Sequence, residues 1–374
     1  MSVDLRKPEK HESFPLEAGG VAAERRRGRG ALTNRSGRFE PIAYQPADDG
    51  WGSVGELEAL STQVQEIRAK TVITRNDSPD IGFDRSINPY RGCEHGCVYC
   101  FARPTHAFMG LSPGLDFETR LFAKVNAAEQ LKRELAHAKY KPATIAIGTN
   151  TDPYQPIDRQ YALMRDILQV LDEANHPVAI VTKSSLVLRD IDILSSMAKR
   201  GLAKVALSVT TLDRKLSRAM EPRAAAPEKR LETIAALNEA SIPTSVMVAP
   251  VMPGLTDMEM ERILERASVA GATEAGYVLL RLPLEIADLF TEWLEANCPD
   301  RAEKVLSLMR QSRGGKLYDA KWGERMEGTG PYAWMIGRRF EMAVQRLGLN
   351  KDKAKLRTDL FEPPVLQGQQ MRLF

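Results

Sequence analysis

Ile87-Asn-Pro-Tyr-Arg-Gly-Cys93-Glu-His-Gly-Cys97-Val-Tyr-Cys100-Phe-Ala-Arg103 carries three of the four cysteines in the chain, at i, i+4 and i+7. Three thiolates so spaced reach a single inorganic centre if the loop curls around it. Gly92 and Gly96 each precede a cysteine and take φ > 0 without a Cβ clash, so backbone N–H groups can turn inward toward sulfur. Pro89 stiffens the approach.

No fourth cysteine stands nearby. A structural zinc site is closed by four protein ligands, and electron-transfer iron–sulfur proteins give four thiolates to each cluster, so three leave one metal position open. His95, His106 or Cys298 could complete a zinc site in a non-catalytic nucleic-acid-binding protein. A disulfide would leave an odd thiol in a chain that lacks the cysteine density of secreted proteins. With Tyr99 just before the last cysteine and Phe101 just after it, Cys93-x3-Cys97-x2-Cys100 resembles the signature loop of radical S-adenosylmethionine (SAM) enzymes. The resemblance implies a [4Fe-4S] cluster on Cys93, Cys97 and Cys100, with SAM chelating the fourth iron through its amino and carboxylate groups. It also implies one-electron cleavage of the sulfonium C–S bond to methionine and a 5′-deoxyadenosyl radical that takes hydrogen from a substrate. A reduced flavodoxin or ferredoxin is the implied electron donor.

At 374 residues, 43% of them hydrophobic, the chain can bury a substantial core in one large domain with appendages. A net charge of +3 is too small to make the whole molecule a polyanion binder, so nucleic-acid contact must rest on local patches. No apolar run approaches a membrane span and the opening residues lack a hydrophobic signal core. A cytoplasmic protein with reduced thiols and no membrane contact is expected.

Residues 1–80, polar and rich in Gly, Pro and charge, read as an extended, disordered arm with one short helix over 54–70. Within it, Arg25-Arg-Arg-Gly-Arg-Gly-Ala-Leu-Thr-Asn-Arg-Ser-Gly-Arg38 suits phosphate contacts to a nucleic acid, or is a solvated tail. Strand and helix signals then alternate. Strands are expected over 86–89, 143–148, 178–182, 205–209, 244–249 and 275–280, and helices over 123–139, 160–174, 188–200, 228–240 and 257–270. Strands joined by helices at this interval form a parallel sheet, and six such units make a partial (β/α)6 barrel of the TIM type over 81–282. A helical extension is expected over 283–374, with helices at 284–297, 300–311 and 332–347. Between the last two, a basic loop from Arg310 to Arg325 interleaves Tyr318 and Trp322, which suits either base stacking or packing on the barrel. His176, in an Asn-His-Pro turn, reads as solvated.

In such barrels chemistry gathers where strands end. The segments Gly148-Thr-Asn-Thr-Asp152, Thr182-Lys183-Ser184, Ser208-Val-Thr-Thr211, Met220-Glu221-Pro-Arg223 and Ala249-Pro-Val-Met-Pro-Gly254 stand at those places. In order along the chain they resemble the spore photoproduct lyase-like branch of the radical SAM enzymes. That resemblance implies Asn150 and Thr151 near the SAM amino group, Lys183 near its carboxylate and Ser208 on its ribose. Tyr99 and Phe101 would shield the cluster and pack near adenine, and Arg223 could clamp a carboxylate or phosphate. Thr149 stands where thymine-photoproduct lyases of that branch carry a hydrogen-donating cysteine, which an O–H group does not replace. Taken alone, Asn150, Thr151 and Asp152 also fit an Asx-type turn, and Cys298 reads as a passive thiol at a helix end. No residue is singled out as catalytic.

Overall fold

The computed structural model describes residues 28–40 and 60–366. Arg25, Arg26 and Arg27 of the basic stretch, and the first residues of the helix expected over 54–70, lie outside them. The described strands are β1 (Gln63–Ile67), β2 (Ile73–Arg75), β3 (Arg85–Ile87), β4 (Tyr90–Arg91), β5 (Arg120–Lys124), β6 (Ile145–Ile147), β7 (Val178–Thr182), β8 (Ala203–Ser208), β9 (Thr244–Val251) and β10 (Glu274–Leu279). Six of them lie side by side and parallel in the order β10-β9-β8-β7-β6-β3, and β2 adds an antiparallel edge beyond β3. Ile87 pairs with Ile147, which pairs with Ile180, so the strands enter the mouth of the sheet in step. This is the partial (β/α)6 arrangement expected from the alternation of elements.

Local sequence explains the units. Helix Leu163–Glu173 buries Leu163, Ile167, Leu168 and Leu171, an apolar stripe at helical spacing, while β7 buries Val178, Ile180 and Thr182 at the two-residue spacing of a strand. Helix Arg214–Met220 begins at Asp213, whose carboxylate accepts the N–H groups of Lys215 and Leu216. Gly201, at φ 72°, turns the chain after helix Ile191–Lys199.

Three features depart from expectation. The helix expected over 54–70 is strand β1 at 63–67, which lies parallel to β5, itself antiparallel to β4. Consequently the helix expected from 123 starts at Ala127. Isolated propensity could not foresee this, because the partner strand of residues 63–67 lies more than fifty residues away. Next, residues 28–40 and 60–80 are packed parts of the fold: Thr33 and Arg35 reach Glu292, Arg38 reaches Glu285, and Asn126 brackets the backbone of Ala69. Finally, the described residues beyond helix Gly330–Leu347, 348–366, form no helix or strand and return to the sheet's other end, where the Arg357 N–H donates to Gly201 O and the Glu362 N–H to Ala174 O. That tail covers His176, which is fully buried rather than solvated and sits against the rings of Tyr140 and Phe361.

A large apolar core fills the space between the sheet and the helices. A second joins Cys97, Val98 and Tyr99 to Phe290, Trp293, Leu294, Val305 and Met309 of the C-terminal helices Ile286–Asn297 and Pro299–Gln311. The extension thus packs directly on the cysteine loop.

Candidate active site

Cys93, Cys97 and Cys100 leave β4 as a tight coil with Gly92 at φ 75° and Gly96 at φ 66°. Most amides inside the coil serve oxygen rather than sulfur: Cys93 N–H donates to Phe117 O, Glu94 N–H to Gln155 Oε1, and Val98 N–H to Met220 O. Sulfur is reached by the backbone of Asp152 at Cys93, and of Ala102 and Arg103 at Cys100. All three are free thiols, two buried and one half-buried, and burial pushes each upward, Cys97 to about 12. Cys93 senses both other thiols and Cys97 senses Cys100, so the three surround a common space. Among the described residues no three Cys, His, Asp or Glu side chains converge as ligands of one ion. Thiolates are the ligands that iron–sulfur clusters take.

The back of the loop is fixed by one buried arginine. Arg103 donates to Cys97 O at 2.8 Å, Gly96 O at 3.1 Å, Pro113 O at 3.0 Å, Gly114 O at 2.8 Å and Glu118 Oε1 at 2.5 Å, so its planar fork is fully used. Glu118 also accepts the N–H groups of Gly30 and Ala31 at 2.9 and 2.8 Å, tying residues 28–40 to the cysteine loop.

At the ends of the strands stand the other expected residues. Lys183 follows β7, with Nζ 5.8 Å from the centroid of the Tyr99 ring and, among the described residues, no hydrogen bond or ion pair to its ammonium. Burial pulls its pKa down, but Cys97 and Glu221 raise it further, so the ammonium stays charged. Tyr99 is buried; its hydroxyl donates to Glu221 and meets Thr210 at 3.2 Å. Ser208 is buried at the end of β8, its carbonyl accepting from Arg230. Asn150 and Thr151 offer their backbone N–H groups to Asn88 Oδ1, and the Thr151 hydroxyl donates to Tyr90 O at 3.1 Å. Asp152 makes the Asx-type turn, accepting from Tyr154 N–H, and bonds Thr182 and the Lys183 N–H. Burial would raise Asp152, but His95, with Nδ1 3.3 Å from its Oδ2, and the bonds from Lys183 and Thr182 hold it at about 2.

Two residues stand apart from this group. Arg223 is engaged on the outer side, where Nη1 meets Glu94 Oε1 at 2.5 Å, and Phe101 is 44% exposed. Cys298 caps the end of helix Ile286–Asn297 and packs against the second apolar core, as a helix-end thiol should. Sequence reading missed Arg103, Glu118, Gln155 and Arg230, whose partners are brought to them by folding; their only signal was charge or polarity at positions the fold buries.

A sequence model described as the Radical SAM superfamily matches residues 87–267. An uncharacterised protein of Mycobacterium tuberculosis (strain H37Rv) is 36% identical over 249 residues, 66% of this chain and 73% of that protein. A radical SAM Nalpha-GlyT isomerase of Pseudomonas phage M6 is 25% identical over 313 residues, 74% of this chain and 62% of that protein. Among solved structures, a spore photoproduct lyase complexed with dinucleoside spore photoproduct has a TM-score of 0.54 at 16% identity, covering 76% of this chain and 80% of that one. At that identity the likeness is one of fold.

Proposed function

Because the chain belongs to the radical SAM superfamily, we propose that it is a SAM-cleaving enzyme whose Cys93, Cys97 and Cys100 hold a [4Fe-4S] cluster. Bound there, such a cluster supplies the electron that splits SAM into methionine and a 5′-deoxyadenosyl radical, the species that takes hydrogen from a substrate. The observation that carries this reading is the coil of three mutually sensing, unpaired thiols at the carboxyl ends of six parallel strands.

The surrounding residues have parts that follow from their chemistry. Lys183 presents an ammonium, unpaired among the described residues, suited to the SAM carboxylate, a point charge against an anion. Ser208 and the side chain of Asn150 offer polar contacts for the ribose and amino group, while Thr151, committed to Tyr90, fixes the turn that carries Asn150. Tyr99 and the second apolar core keep water from the buried side of the loop. Arg223, held by Glu94, secures the loop rather than clamping a ligand. The electron donor is a reduced flavodoxin or ferredoxin. A thymine-photoproduct lyase is a second reading, favoured by the fold likeness to spore photoproduct lyase. Against it, Thr149 follows β6 where a hydrogen-donating thiol would stand.

Anaerobic reconstitution tests the reading. The expected product is a brown protein with about four irons per chain. With dithionite and SAM it should release 5′-deoxyadenosine, and serine at Cys93, Cys97 or Cys100 should abolish both iron retention and nucleoside release. A colourless protein with one zinc, or serine variants that behave as the parent does, would refute it.

A further inference from the structure

Most buried arginines in this fold are spent. Arg103 uses its donors on four carbonyls and Glu118, and Arg230 uses its own on Glu221, Ser208 O and Ala225 O. The described arginines of the basic stretch are also taken: Arg29 by Glu118 O and Leu60 O, Arg35 by Glu292, Arg38 by Glu285. Arg281 differs. It stands two residues beyond β10, at the mouth of the sheet, with Cζ 5.1 Å from the ring centroid of Phe101 and 6.0 Å from that of Tyr318. Among the described residues its buried Nε has no partner, and its terminal nitrogens meet only Met326 Sδ at 3.6 Å and the Tyr318 hydroxyl at 3.4 Å. It forms no ion pair among the described residues; the carboxylate that senses it, Asp80, is bound by Arg325 and the Gly323 N–H.

The setting concentrates this charge. Arg313, buried beside it and sensing its charge, donates to Glu324 O and Leu280 O and forms no ion pair among the described residues. Phe101 directly follows Cys100, and Leu317 packs in the same apolar cluster as Cys100, so Arg281 lies against the cysteine loop. Phe101 is 44% exposed, and Trp322, on the loop that carries Tyr318, is 54% exposed. A guanidinium stacked between aromatic rings and lacking a counter-ion presents a planar fork to an oxyanion. The exposed Phe101 ring beside it adds recognition of a flat ring.

We propose that Arg281, held between Phe101 and Tyr318, seats a substrate phosphate whose attached base stacks on the exposed aromatic face, so that the substrate is a nucleotide, free or within a polynucleotide. That the occupant is a substrate rests on the SAM-cleaving reading above; that it is a nucleotide rests on this cluster alone. The basic loop between the last two helices thereby serves both of its possible uses: Leu317 packs, while Tyr318 frames the seat.

Fluorescence anisotropy of the reconstituted full chain with a labelled single strand of about twelve nucleotides tests this, the length matching a typical single-strand site. Competitors are thymidine 5′-monophosphate, thymidine and a glutamate-rich peptide. The strand should bind, with the nucleoside and the peptide failing to displace it. Displacement by the monophosphate identifies a free nucleotide as sufficient, and displacement by unlabelled strand alone identifies a polynucleotide. Arg281→Gln should weaken binding about tenfold, the scale of lost charge-assisted hydrogen bonds, with an unchanged melting temperature because the donors it removes have no strong partner. Arg281→Lys should restore only part of the affinity, Phe101→Leu should weaken it several-fold, and exposed Lys353→Gln should leave it alone. Absence of binding, preferential displacement by the peptide, or Arg281→Gln binding as the parent does would overturn the proposal. A colourless parent protein that still binds through Arg281 sinks the enzyme reading alone; a brown one whose binding ignores Arg281 sinks this one alone.

Discussion

Glu221 shows how much one side chain behind the site must do. It follows helix Arg214–Met220 and accepts from Tyr99, Thr210 and Arg230, all buried. Burial would raise its pKa, yet Arg230 and Lys183 hold it at about 2, so the carboxylate is charged in a place from which water is excluded. A buried pair of this kind adds little net stability, but breaking it strands a charge. Arg230→Ala should therefore destabilise the fold by about 3–5 kcal/mol in denaturant titrations. A loss below about 1 kcal/mol would show that water reaches Glu221. Arg230 was not legible from sequence: it lies on a helix whose buried positions include Leu231, Ile234 and Leu237, and Glu221, Ser208 O and Ala225 O explain an arginine among them.

At the scale of elements, the cysteine coil and the segment at 28–40 hold one another. Gly92 and Gly96 were legible as positive-φ positions because a coil bearing three inward cysteines needs them, and both adopt that conformation. Gly30 was not. A Cβ there would lie 1.9 Å from Gly96 O, so glycine is required by close approach to a loop 66 residues later in the chain. Gly30→Ala should push the segment off Glu118 and leave the carboxylate without two of its N–H donors, a loss of about 1–3 kcal/mol. The consequence to measure is iron release: reconstituted Gly30→Ala should bleach faster than the parent under a chelator, and equal rates would show that the segment does not brace the loop.

For the molecule as a whole, the returning C-terminal tail seals the end of the sheet opposite the site. His176 there is pulled down to about 4 by burial, against its bond to Pro177 O, and His106 is pulled down to about 4 at the cysteine loop. Between pH 6.5 and 4 the unfolded chain takes up protons at both histidines while the folded chain does not. Stability is thus full above pH 6.5 and falls as pH drops through that window, by about 3 kcal/mol for each histidine. His176→Phe, placed among Tyr140 and Phe361, should remove roughly half of that slope in urea melts recorded across the window. An unchanged slope would mean that His176 titrates in the folded state as it does when unfolded.

The sequence by itself determined the six β/α units, since their periodicities of two and 3.6 are local, and it determined that Cys93, Cys97 and Cys100 share one loop, a spacing within eight residues that needs no tertiary information. It also placed Lys183 and Ser208 at strand ends. Only the tertiary structure decided that residues 28–40 brace the loop, that 63–67 form a strand, and that the C-terminal helices close on the cysteines. It alone separated arginines that are spent from Arg281, which is not. The reason is physical: whether a charge is satisfied depends on partners brought near by folding, and nothing in a residue's own neighbourhood along the chain records them.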